Sequence, residues 1–111
     1  MRKIESNMIK AVANQRNFKS GNTQVLSYPD HQAAEIRLHG HVIGVISHGK
    51  YLTLSSAGWF TPTTKSRINA LLSGLCAGVH VFQKAGEWFI RDNQTGETTE
   101  FYNGVQVEVI L

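Results

Sequence analysis

One cysteine, Cys76, is all that the sequence carries, which rules out an intrachain disulfide and a thiolate metal cage. It follows Leu71, Leu72 and Leu75, so a buried, inert thiol is expected there rather than a nucleophile. Prolines are scarce as well, Pro29 and Pro62 alone, and no low-complexity stretch or linker divides the chain. No apolar run approaches the roughly 18 residues of a spanning helix, and no basic-then-apolar leader is present. The expectation is a cytoplasmic protein without membrane contact. Charged residues make up only 17% of the chain, which leaves an unusual share of Ser, Thr, Asn and Gln for the surface.

What is present fits a single α+β domain over residues 1–111. Eleven Lys and Arg against eight Asp and Glu give a net charge of +3 and a pI of about 9.3. These bases are spread from Arg2 to Arg91 rather than gathered, whereas a protein that binds by neutralising phosphates concentrates them on one face. A solvated surface is the plainer reading.

Ile4, Met8, Ile9, Ala11 and Val12 recur at helical spacing, which predicts an amphipathic helix over residues 2–15. Gly21 and Asn22 then offer turn positions before a strand from about Thr23 to Tyr28, ended by Pro29 and Asp30. From Glu35 to Ser55 the chain alternates and turns at Gly40 and at His48-Gly49, which predicts a meander. Gly44, inside its middle strand, signals a bulge or a close approach to the backbone. A second helix follows Pro62. After it, "VHVFQK", "EWFIRD", "ETTEFY" and "VQVEVI" read as a second, four-stranded antiparallel meander, with Asn103-Gly104 as the strongest hairpin signal. Both helices are expected to pack on the sheet.

The segment "WFTPTTKSRINALL" (residues 59–72) concentrates the candidate chemistry. Thr61-Pro62 is an N-cap followed by proline at the first helical position. Ile68, Leu71, Leu72 and Leu75 form the core stripe. Around that helix start stand Trp59, Phe60, Thr63, Thr64, Lys65, Arg67 and Asn69. An aromatic face, several hydroxyls, two cations and unpaired helical N–H groups together suit a nucleotide: a base stacked on a ring, a phosphate at the helix start, Asn69 on an edge or ribose. The blander alternative is a plain cap, solvated cations and a core tryptophan. His39 and His41 share a strand face but lack a third metal ligand at convincing spacing. No phosphate-binding glycine loop, nucleophile elbow or zinc-protease motif occurs, and Glu87, Asp92, Glu97 and Glu100 gather at a hairpin tip as solvating residues do. A binding protein without cofactor or metal is expected rather than an enzyme.

"GNTQV" (21–25), "IRLHGHVIG" (36–44), "LTLSSAGWFTPTTKSRINALL" (52–72) and "FYNGVQV" (101–107), about half of the chain, resemble a widespread family of small phage-encoded proteins, and within them the first type of anti-Thoeris protein. The resemblance implies a sponge that holds the cyclic ADP-ribose isomer made as an immune alarm, and in some members cyclic di- or trinucleotides at separate sites, without cleaving them. It implies an adenine-stacking ring at Trp59 or Phe60, an asparagine contact at Asn69, and bases such as Arg37 and Arg91 near phosphates, with His39 close by. It further implies a homo-oligomer, a dimer or hexamer, in the cytoplasm of the infected host. The competing expectation is a single-stranded nucleic-acid binder using Phe82, Phe89 and Tyr102 with Lys84 and Arg91, or an inhibitor of a host protein.

Overall fold

The computed structural model describes residues 1–110. Helix α1 spans Lys3–Ala13, and strands β1 (Phe18–Ser20), β2 (Thr23–Tyr28), β3 (Ala33–Leu38), β4 (His41–Ser47) and β5 (Tyr51–Leu54) follow. Helix α2 covers Pro62–Leu75, and β6 (Val79–Lys84), β7 (Glu87–Asp92), β8 (Thr98–Glu100) and β9 (Val105–Glu108) complete the α+β order. All pairing is antiparallel. One sheet runs β1-β2-β3-β4-β5-β9, and a second runs β6-β7-β8.

The arrangement departs from the expected second meander of four strands. Asn103-Gly104 does not close a hairpin, because β9 leaves β8 and pairs with β5 through Leu54↔Val105 and Leu52↔Val107. The cause is burial: β8 is three exposed residues with no apolar side to offer. Val105 and Val107 instead continue the inner face that Leu52 and Leu54 begin. The short β1 was also not expected; it is held by pairing Phe18–Ser20 with Thr23–Val25.

Alternation decides the faces of the larger sheet. Val25, Ile36, Leu52 and Leu54 point inward and are fully buried with Met8, Ile68, Leu71 and Leu72 of the helices. Gly44 meets both expectations made of it. The register slips beside it, between Ile36 and Arg37, and a Cβ there would stand 3.2 Å from Leu71 Cδ1. At Gly74 the two helices approach closely, for a Cβ would fall 2.7 Å from Ile9 carbons.

A polar cluster joins the helices to the sheet. Arg67, expected at the surface or on a phosphate, is buried: its Nη1 donates to Glu5 Oε2 at 2.8 Å, and the two side chains are only 4% and 3% exposed. Its Nε donates to Thr23 Oγ1 at 3.0 Å and its Nη2 to Asn22 Oδ1 at 3.3 Å. Ser66 Oγ donates to the same Glu5 oxygen at 2.6 Å, and the Arg2 N–H reaches Glu5 Oε1 at 3.2 Å. Burial pushes the Glu5 carboxyl up. The hydrogen bonds from Ser66, Arg67 and Arg2 and the charge of Arg67 outweigh it, and hold the carboxyl below its ordinary 4.5.

Removing one member of a buried pair strands the other, at a cost of about 3–5 kcal/mol. Arg67→Ala is therefore expected to lower unfolding stability by about that amount in urea titration, and Arg67→Lys by less. Because the folded carboxyl sits below its ordinary value, its contribution is complete above 4.5 and fades as pH falls toward the folded value. Glu5→Gln should flatten that acid loss; an unaltered acid limb would assign it to other groups. Cys76 is buried, with burial pushing its thiol up to about 11, so thiol reagents at neutral pH should label it only as fast as the chain unfolds.

Candidate functional site

The loop between β5 and α2 is stitched to itself before it delivers its aromatic residue. Ser55 Oγ accepts from the Ala57 N–H at 3.0 Å, and Ser56 Oγ from the Gly58 N–H at 3.2 Å. Asn103 Oδ1 accepts from the Ser56 N–H at 2.9 Å, so the loop is anchored from the approach to β9. Ala57 and Gly58 both take positive φ, 54° and 81°, a turn that Gly58 accommodates without strain. This holds Trp59 outward at 56% exposure.

At the other end of the loop, Thr61 caps α2. Its Oγ1 accepts the Thr64 N–H at 3.2 Å and lies 2.9 Å from Thr64 Oγ1. Pro62 occupies the first helical position, as its fixed φ favours. Between this helix start and the β3–β4 hairpin opens a groove of about 300 Å³. Its floor is apolar, from Leu38, Ile43 and Ala57. Its rim carries His39, His41 and Trp59, the last two with ring centroids 5.9 Å apart and tilted by 37°. Thr61, Thr63 and Thr64 line the helix side.

Over residues 1–108 the sequence matches the family model described as Kyanoviridae Gp96 protein. The chain belongs to that family. It is thus a member of a small phage-encoded protein family, and no curated protein and no solved structure matches it.

In this Gp96-family fold the residues expected to form one nucleotide site separate into several groups. Trp59, Thr61, Thr63, Thr64 and His39 line the groove together. Phe60 turns away and sets its ring edge-on to Trp88, 5.0 Å off, so Trp59 is the ring that the groove can use. Lys65 is half-buried on the first turn of α2 and outside the lining. Arg67 is spent on Glu5 and points into the core.

Asn69 has a different task from the one expected. Its Nδ2 donates to the Val81 carbonyl at 2.8 Å, and its Oδ1 accepts the Val81 N–H at 2.7 Å. The amide acts as one residue of a strand beside β6 and satisfies both backbone groups at once. Arg37 pairs with Glu35 at 2.7 Å on the far face of the larger sheet. Arg91 lies on the second sheet, 3.4 Å from Thr98 Oγ1. His41, weighed in the sequence only as a metal ligand, and Leu38, Ile43, Ser56 and Ala57 are groove residues that sequence reasoning missed. Among the described residues no three His, Cys, Asp or Glu side chains gather as a metal set would, and no helix is long and apolar enough to cross a membrane.

Asn69→Ala would leave the Val81 N–H and C=O without their partner. The expected result is a loss of about 1–3 kcal/mol with faster amide exchange at Val81, read by hydrogen exchange. Unchanged protection there would show that the amide bracket is dispensable.

Proposed function

We propose that the chain is a phage sponge that binds a small cyclic nucleotide in the groove beside α2 and holds it without cleaving it. The observation that carries this reading is Trp59, large, apolar and exposed on the rim of a groove with an apolar floor. A ring held outward by a braced loop offers a flat face for a base at little ordering cost. The hydroxyls of Thr61 and Thr63 and the rings of His39 and His41 supply polar partners around it, and the lining contains no carboxylate to repel a phosphate.

The resemblance to anti-Thoeris sponges supplies the ligand class: cyclic ADP-ribose isomers first, cyclic di- and trinucleotides next, met in the cytoplasm of the infected cell. Arg67 and Asn69 are committed elsewhere, so phosphate recognition in this reading falls to the hydroxyls, the histidines and the start of α2.

A second reading has one observation in its favour. On the outer face of the second sheet His80, Phe82 and Phe89 form a row, with centroids 5.6 and 5.7 Å apart, and Lys84 and Arg91 share that face. Such a row can stack single-stranded bases. Glu87 lies opposite Lys84 and Glu100 opposite Phe89, so the face lacks the positive excess that phosphates call for.

Calorimetry against cyclic ADP-ribose isomers, cyclic di- and trinucleotides, AMP and a short oligonucleotide tests both. The expected result is binding of a cyclic nucleotide that is recovered intact, with Trp59→Ala weakening it by at least about fivefold, the low end of the roughly 1–3 kcal/mol of a base stacked on a ring. The fold should persist in that variant. Binding that survives Trp59→Ala would remove the groove from consideration, and oligonucleotide binding that collapses with salt would favour the second sheet.

A further inference from the structure

His39 and Gly40 form the two-residue turn between β3 and β4, at φ 51° and 79°, the left-handed pair that closes a tight hairpin. The His39 N–H donates to the Asn22 carbonyl at 2.8 Å, which pins the turn to the start of β2. His41 pairs across the hairpin with Leu38 and so stands on the same inner face, where its ring neighbours that of Trp59. Both imidazoles therefore reach the groove on a braced hairpin, not on a loose loop.

The charges around them are few. Among the described residues the lining holds no Asp, Glu, Lys or Arg, so His39 and His41 are its titratable groups. The loop side offers Ser56, Ala57 and Trp59, and the helix side Thr61, Thr63 and Thr64, all uncharged. Behind the turn, Asn22 and Thr23 accept from Arg67, whose charge Glu5 cancels. Arg37 lies on the opposite face of the sheet, paired with Glu35, and Lys65 stands outside the lining. A phosphate over this apolar floor thus meets no permanent counter-charge, a costly state for a buried anion.

Resting on the reading of the groove as a cyclic-nucleotide site, we infer that His39 and His41 become its cations by taking up protons as the ligand binds. Imidazole is the side chain whose charge changes between about pH 5 and pH 8. A phosphate within a few ångströms favours the charged ring, so the ligand draws a proton onto it, and by reciprocity a ring already protonated holds the ligand more tightly. Affinity is then highest in acid, where the rings are charged before the ligand arrives, and falls as rising pH removes their protons. Cyclic di-AMP isolates the effect, because its phosphodiesters carry one charge each throughout this range, whereas a terminal phosphate titrates near pH 6 itself.

Calorimetry and imidazole ring-proton NMR on the intact chain, with cyclic di-AMP and cyclic ADP-ribose isomers as probes, make the test. At constant ionic strength, binding is expected to tighten at least about fivefold from about pH 8 to about pH 5.5, the low end of ordinary coupling between linked sites. That range stays above 4.5, where the contribution of Glu5 to the fold is complete. The NMR titration midpoints of His39 and His41 should rise when the probe is bound, while those of His31, His48 and His80, which lie outside the groove, should stay. His39→Asn, which suits the left-handed turn position, combined with His41→Gln should remove the pH dependence. Equal affinity at both pH values, ring midpoints that the bound probe leaves in place, or a pH dependence that survives in the double variant would overturn the inference and leave the sponge reading standing. No binding of any probe at either pH would overturn both.

Discussion

The seating of α1 and α2 against the start of β2 turns on the buried ion pair between Glu5 and Arg67. Hydrophobic contact alone would let α1 and α2 slide over the sheet, since a Leu or Ile finds acceptable neighbours at several settings. A carboxylate and a guanidinium, each nearly sealed from water, do not have that freedom. Out of register, each would be buried without its counter-charge, which disfavours other settings of α1, α2 and β2. Thr23 and Asn22 at the start of β2 fix the guanidinium plane, and Ser66 completes the carboxylate. Gly74 adds a steric requirement, since only a residue without a side chain lets Ile9 lie so close to α2.

That fixed setting of α2 is what places the groove. The first turn of the helix, one turn ahead of Arg67, becomes a wall at a defined distance from the β3–β4 hairpin, and Trp59 stands at its mouth. The second sheet depends on the same helix, because Asn69 brackets the backbone of β6. One helix thus serves three neighbours with different faces: the core with leucines, α1 with Arg67 and Gly74, and β6 with Asn69. Its start stays open to solvent, as does Ser73 near its end.

Much of this was legible in the sequence where the signal was local. The strands at Thr23–Tyr28, His41–Ser47 and Tyr51–Leu54 follow from alternation and from glycine turns, and the cap at Thr61-Pro62 from two adjacent residues. The polar cluster was hidden because its members look like surface residues singly; Glu5 and Arg67 are 62 positions apart, and pairing at that separation leaves no periodicity. Asn103-Gly104 misled for the opposite reason. A strong local turn signal was read as a hairpin, but the choice between β8 and β5 as partner belonged to burial. At the candidate site the hydroxyls, Trp59 and His39 were legible as neighbours, while the separate duties of Phe60, Arg67 and Asn69 depend on elements that approach α2 only in three dimensions.

The pairing of β9 with β5 spans α2 and the whole second sheet. α1 and the hairpins from β1 to β5 can form from near neighbours, but the edge of β5 stays unsatisfied while α2 and the whole second sheet are still being synthesised. Closing that gap is a long loop closure, the slow kind of step in folding. Until it happens, the inner side of Leu52 and Leu54 lacks Val105 and Val107, and Ser56 lacks the amide of Asn103. The loop that holds Trp59 therefore gains its anchor at Asn103 only after the chain has been made through that residue, although its bonds from Ser55 and Ser56 are local.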